Sequence, residues 1–426
     1  MKTVIPLIAV LSLALAGCSS SPKETVSNKQ TTGAKQPVWS VSPGASTYYI
    51  NSVAISGDGS KVVGGTFYHS YSSGAPTRYA DIGTQPPAGN AGDSFGIYCY
   101  NQSGTALWNQ QISSYEGVYW VDISTDGAYA AAGGWMTGSP NYAGFVRAYD
   151  ASNGTQLLNY ATTSRVNQVG LTSNGTWLIS AAETLVLFKR VNGVFNKSAE
   201  YTPAGTKPTV VTAAISGDGN TIVAADYSGN ILLFKNKGGL LVLFKQWKMP
   251  SGSSHCVRVT PDGKAFAAGG SDGYFYFFNT DSFIASGVPT MTSQISSKSA
   301  VYGVAISDDA SAVVGISNLN STNVGGLVYF VPTANNPTGT PSWTYQTARN
   351  PNCASINLAN GLLAVADGHP DGYPGNFYLL NTSTGQPIWQ YGTTNMSWPI
   401  MISANGNAVV AGSDDSKVYY FTTTAP

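Results

Sequence analysis

Charge is scarce in this chain: only 10% of its 426 residues are Asp, Glu, Lys or Arg, and 21 basic side chains balance 21 acidic ones. That argues against nucleic acid as a partner, since phosphate recognition draws on a basic patch or stripe. Histidine is scarcer still. His69, His255 and His369 lie far apart, a spacing that supplies no convergent zinc site. No Ser-His-Asp order, Walker-type loop or zinc-type cysteine spacing stands out, so no catalytic residue, metal site or cofactor is expected. Two carboxylates four apart before a glycine, in Asp367-Gly368-His369-Pro370-Asp371-Gly372, give a faint calcium-loop pattern. A histidine at the third place and the lack of a later acidic ligand weaken that pattern and favour a plain Gly/Pro-rich turn, with cation binding left open. After the first few dozen residues there is no amphipathic helical period of useful length.

Glycine and tyrosine, by contrast, are abundant, at 48 and 25 residues. They belong to a repeat, seen most plainly in Ser254–Asn279. Val257 and Val259 alternate as in a strand packed on one face. Pro261-Asp262-Gly263 turns the chain, because proline presets φ and glycine accepts φ > 0. Small residues at Ala265–Gly269 form a second strand, Asp272-Gly273 turns again, and the aromatic run Tyr274–Asn279 forms a third. The turn residue recurs at Gly59, Gly127, Gly175, Gly219, Gly263, Ala310, Gly361 and Gly406, with spacings of 68, 48, 44, 44, 47, 51 and 45 residues. Eight copies of four-stranded length predict an all-β, eight-bladed β-propeller of antiparallel blades, since one such sheet cannot bury both faces alone.

The fourth strand has its own pattern. A large apolar residue follows a glycine by four positions in Gly104–Trp108, Gly154–Leu158, Gly339–Trp343 and Gly385–Trp389. The last repeat ends at Val418–Phe421 with no such strand after it, whereas Pro37-Val38-Trp39-Ser40-Val41 matches Pro387-Ile388-Trp389-Gln390-Tyr391. The N-terminal segment is therefore expected to supply the outer strand of the last blade and close the ring, sparing it two free edges.

Ahead of the repeats, Lys2 and the apolar run Val4–Ala16 read as an export signal too short to span a bilayer. Leu15-Ala16-Gly17-Cys18 resembles the bacterial lipobox, which implies cleavage before Cys18 and its acylation; Ser19 in place of Asp implies outer-membrane sorting. The expected domains are a signal peptide over 1–17, a polar tether over 18–36 and the propeller over 37–424. Of the four cysteines this leaves Cys99, Cys256 and Cys353, which cannot all pair within the chain and are expected as free thiols.

The turns SGDG at Ser56–Gly59, STDG at Ser124–Gly127 and SGDG at Ser216–Gly219 resemble WD40-type repeats. NTSTGQPIW at Asn381–Trp389 resembles the tryptophan-docking repeats of quinoprotein-like (PQQ-like) propellers. Neither match is complete: no copy has the Gly-His and Trp-Asp pair, and repeats three and five lack the docking tryptophan. Quinone-dependent dehydrogenases of that kind would imply an adjacent cysteine pair, calcium ligands and an active-site aspartate, and no such set can be placed here. In layout the chain is similar to the propeller lipoproteins of the outer-membrane β-barrel assembly machinery. That implies a non-catalytic, lipid-anchored scaffold of the cell envelope with protein partners. A surface receptor for carbohydrate or polymer, and a quinone-dependent enzyme, are the alternative readings.

Recognition is expected on one face. Eight residues before each turn lie Asn51, Tyr119, Asn167, Val211, His255, Tyr302 and Trp398, with Asn352 equivalent after a one-residue slip. They enter the innermost strands near the channel mouth, beside Trp120 and Pro399, either facing the channel or packing between blades. Long loops between second and third strands in repeats one, two, six and seven (67–93, 135–143, 318–325 and 367–376) should crowd one sector of that face. Their Tyr68, Tyr71, Tyr79, Trp135, Tyr142 and Tyr373 offer contact area at low entropic cost. The binding set expected from sequence is thus Tyr68, Tyr71, Tyr119, Trp120, Trp135, Tyr142, His255, Tyr302, Tyr373 and Trp398, with Cys18 as the lipid attachment.

Overall fold

The computed structural model describes residues 34–44, 49–67, 94–114, 116–136, 143–205, 209–296, 299–319, 325–369 and 373–426. Eight four-stranded antiparallel sheets account for its strands. The first strands of the blades, Tyr49–Ile55, Glu116–Ile123, Gln168–Leu171, Val210–Ile215, Ser254–Val259, Val301–Ile306, Pro351–Asn357 and Ser397–Ile402, touch one another in sequence order, and the eighth touches the first. That cyclic contact makes the sheets the blades of an eight-bladed propeller.

Small residues in the second strands allow the blades to pack face to face. A Cβ added to Gly65 would lie 2.4 Å from Val118 Cγ1 of the next blade, and one on Gly133 would lie 2.4 Å from Val166 Cγ1. At the join between blades eight and one, a Cβ on Gly412 would meet Ile50 Cγ2 at 2.4 Å. The second strands are accordingly buried on both faces, as in Val62–Phe67, Ala265–Gly270 and Ala408–Ser413.

The turns after the inner strands hold themselves by side-chain bonds. Ser56 Oγ donates to Asp58 Oδ1 at 2.6 Å and accepts from Lys61 N at 3.0 Å. The same arrangement recurs at Ser124/Asp126, Ser216/Asp218, Thr260/Asp262 and Ser307/Asp309. Backbone bonds then lace these turns from blade to blade, as in Gly57 N to Thr125 O (2.8 Å), Asp126 N to Ser173 O (3.0 Å) and Asn405 N to Gly57 O (2.9 Å).

The Gly-x-x-x-Trp spacing turns out to be a contact between blades. Trp39, Trp108 and Trp343 lie on Gly104, Gly154 and Gly385 of the following blade, where an added Cβ would come within 2.9 Å of the indole in each case. Their Nε1 atoms donate to Gln102 O, Ala151 O and Thr382 O. Trp389 is fully buried and packs on Phe421, with ring centroids 5.0 Å apart.

The N-terminal segment closes the ring as expected: Trp39–Val41 pairs antiparallel with Lys417–Thr422 in the register Trp39↔Tyr420, Ser40↔Tyr419, Val41↔Val418. One element has no forerunner in the sequence reading. A short helix, Thr280–Ser286, separates the third and outer strands of blade five; Asn279 caps it, and Phe283 packs on Phe266 and Phe278 at 5.5 and 5.0 Å.

Removing residues through Val41 should lower the melting temperature by several degrees, the effect of losing roughly 1–3 kcal/mol in a large domain. Removal that stops at Gly33 should leave it unchanged. Equal melting of the two truncations in scanning calorimetry would show that the Trp39–Val41 strand does not stabilise the ring.

Candidate binding site at the mouth of the channel

Seven of the eight inner strands begin with a bulge, and the ring of residues at the mouth sits on it. Pairing with the second strand slips between Ile50 and Ser52, Val118 and Trp120, Val210 and Thr212, Ser254 and Cys256, Val301 and Gly303, Pro351 and Cys353, and Ser397 and Ile400. The skipped residues are Asn51, Tyr119, Val211, His255, Tyr302, Asn352 and Trp398 with Pro399. Asn167 in blade three sits just ahead of its strand and donates its N–H to Ala181 O at 2.8 Å. A bulge re-aims the side chain of its extra residue. Here all eight ring residues line one cup.

Their tasks differ. The asparagines latch neighbouring blades: Asn51 Nδ2 donates to Tyr119 O (2.5 Å), Asn167 Nδ2 to Val210 O (3.1 Å) and Asn352 Nδ2 to Ser397 O (2.8 Å). Tyr119, Trp120, His255, Tyr302 and Trp398 are each half-buried and form the cup's aromatic wall. Burial pushes the His255 imidazole down to about 4, so it is neutral near pH 7. Burial pushes the Cys256 thiol up to about 11, so it is no ready nucleophile. Cys99, Cys256 and Cys353 are all free.

Both charged lining residues among those described, Arg165 and Arg258, escaped the sequence reading. The Arg165 guanidinium lies 4.3 Å from the Tyr119 ring centroid and that of Arg258 lies 5.8 Å from Trp120. Arg165 stands two residues before the ring position of blade three and Arg258 three after that of blade five. Each occurs in one blade only, so no repeat marked them.

Trp135 requires a correction. It was expected in an exposed loop, but it is 4% exposed and lies in the strand Tyr129–Met136, opposite Gly117. The strand runs on past the ring position, and the indole packs edge-on against Phe67 (5.5 Å) and Tyr119 (5.8 Å). It supports the wall and presents no free face. The proposed loop of blade seven is likewise mostly strand, Leu362–His369 and Tyr373–Asn381. Tyr373 does stay 45% exposed, with the Arg349 guanidinium 5.3 Å from its ring. Asp367 is fully buried and accepts from Arg349 N (2.8 Å), Asn376 Nδ2 (2.9 Å) and Tyr378 Oη (2.9 Å).

Cys18, Tyr68, Tyr71, Tyr79 and Tyr142 lie outside the described residues. The strand ends that lead into the long loops do leave from the mouth, as the pairs Tyr49↔Phe67, Glu116↔Met136, Val301↔Ser317 and Pro351↔Asp367 show.

No protein-family model matches the chain. Among solved structures it is similar to Sqt1 of Saccharomyces cerevisiae, with a TM-score of 0.66 and 9% identity over 92% of this chain and 100% of that one. Sqt1 of Chaetomium thermophilum, solved bound to the N-terminus of the ribosomal protein L10, gives 0.64 and 12% over 88% and 97%. At such identities the likeness is one of fold.

Two outcomes follow from this geometry. Trp135→Ala should destabilise the protein by about 3–5 kcal/mol, as removal of a buried indole does, and unchanged melting would place the indole outside the core. The depressed His255 pKa means that the unfolded chain takes up the proton first. The associated stability is present above about pH 6.5 and is lost as pH falls toward about 4. His255→Gln should therefore melt with a smaller drop between about pH 7 and pH 5 than the parent, and identical drops would exclude His255 as the cause.

Proposed function

We propose that the protein is a lipid-anchored, non-catalytic propeller of the cell envelope, held at the outer membrane through Cys18, that seats a protein partner at the mouth of its channel. The observation that carries this reading is the bulged ring. Eight blades each turn one side chain to a common cup, and Tyr119, Trp120, Tyr302 and Trp398 give it the aromatic surface typical of binding hot spots. Among the described residues the lining holds one histidine and no carboxylate, a set without a general acid–base pair. Tryptophan docking between blades supports placing it with quinoprotein-like propellers, and the lipobox-like segment supports a lipoprotein like those of the barrel assembly machinery. Sqt1 solved with the N-terminus of L10 shows that a propeller of this fold can hold a segment of another protein.

Site-specific photo-crosslinking in cells tests this. A benzophenone side chain at Tyr302 or Tyr373 should capture one discrete protein. The same group at Lys264, whose side chain is 81% exposed on the opposite face, should capture none. Lys61 is unsuitable as that control because its Nζ staples Gly127 O at 2.8 Å. Trp398→Ala should weaken partner binding by about 1–2 kcal/mol, and Cys18→Ala should release the complex from membranes. Equal capture from both faces, or elution of the captured species by oligosaccharide, would overturn the protein-binding reading.

A further inference from the structure

The whole chain is electrically neutral, with 21 basic and 21 acidic side chains, yet the cup is not. Among the described residues its lining holds Arg165 and Arg258 and no Asp or Glu. We infer that the cup is an anion site which takes a carboxylate of the partner between these two guanidinium groups. This deepens the protein-binding reading and rests on it.

The bulge in blade two creates the arrangement. It separates the consecutive residues Tyr119 and Trp120, and each ring then supports a different cation. Arg165, from the start of blade three, lies over Tyr119; Arg258, from the inner strand of blade five, lies over Trp120. One further bond fixes each fork: Arg165 Nε donates to Asn167 Oδ1 at 3.0 Å, and Arg258 Nη1 donates to Val257 O at 2.9 Å. Ring faces and neutral acceptors hold a guanidinium in place without cancelling its charge. Among the described residues neither arginine makes an ion pair.

Asp122 feels the charge of Arg258 but is not among the lining residues. Its two oxygens are engaged by backbone, Oδ1 accepting from Ile123 N at 2.9 Å and Oδ2 from Leu171 N at 2.7 Å. Partly desolvated cations with N–H groups to spare gain most from an anion that accepts two parallel bonds, and a carboxylate matches the guanidinium fork. Among the described residues no lysine lines the cup, which is aromatic where a phosphate site would present further cations. Tyr302 and Trp398 form wall for the side chain next to that carboxylate.

A carboxylate on a protein segment comes from its C-terminus or from Asp or Glu, and four peptides separate these sources. Acetyl-Gly-Gly-Phe with a free C-terminus is compared with its amide, and acetyl-Gly-Phe-Glu-Gly-amide with its Gln counterpart, by isothermal calorimetry on the full chain. At least one acid should bind about tenfold or more tighter than its neutral partner, as charge-assisted bidentate bonds do. Arg165→Gln and Arg258→Gln should each remove most of that preference, and Arg165→Lys, which keeps the charge without the fork, should restore part of it.

Acid and neutral peptides binding alike, or no peptide binding, overturns the carboxylate site. So does inorganic phosphate that binds as tightly as the better acid. These outcomes need no variant to fold. The two readings also fail separately: crosslinking at Tyr302 that persists while acid and amide bind alike leaves the partner surface standing and removes the carboxylate.

Discussion

Neighbouring blades approach so closely that at several contacts a single methyl group has no room. Gly65 against Val118, Gly133 against Val166 and Gly412 against Ile50 mark those places. Much follows from that spacing. It buries the second strands on both faces and brings the turn backbones within hydrogen-bonding distance across blades. It also leaves the inner strands as the wall of a channel whose width the number of blades sets. The interfaces are packed on both sides of each sheet, so the ring resists deformation and the mouth residues are carried on a rigid frame.

On that frame, repetition and irregularity have separate tasks. The bulge repeats in nearly every blade and fixes where a side chain will point. The residue placed there does not repeat. Asparagine at three positions latches the next blade, while tyrosine, tryptophan and histidine at others line the cup. The outer strands are irregular in another way. The strand Leu240–Lys248 exposes Leu240, Val242, Leu243 and Phe244, and Lys237 lies over the Phe244 ring at 5.7 Å. Lysines beside an exposed apolar edge strand discourage pairing with another chain.

The sequence revealed what repeats. Turn glycines, the Gly-x-x-x-Trp step and the match of Pro37–Val41 to Pro387–Tyr391 each occur more than once, and the structure reproduces all three. Position on the ring was legible for the same reason, since a fixed offset from each turn led to Asn51, Tyr119, His255 and their equivalents. What occurs once was not legible. Arg165 and Arg258 have no counterparts in other blades, and the Thr280–Ser286 helix is too short for a period to show. Trp135 was misplaced because alternation shows that a strand exists and says little about where it stops. Two more residues of pairing turned an expected loop aromatic into a core one.

Joining Trp39–Val41 to Lys417–Thr422 has a consequence for the order of folding. During synthesis the N-terminal strand emerges early and has no partner until Val418 follows it, a delay on the order of half a minute at about 5–20 residues per second. In that interval seven blades can form by local hairpin pairing, which is fast. The eighth needs the strand pairing of longest sequence separation among the described residues, the kind that forms late. A chain interrupted before Lys417 therefore keeps an unmated strand near its N-terminus and an unsealed blade at its other end. Unpaired strand edges of that kind are open to pairing with other chains.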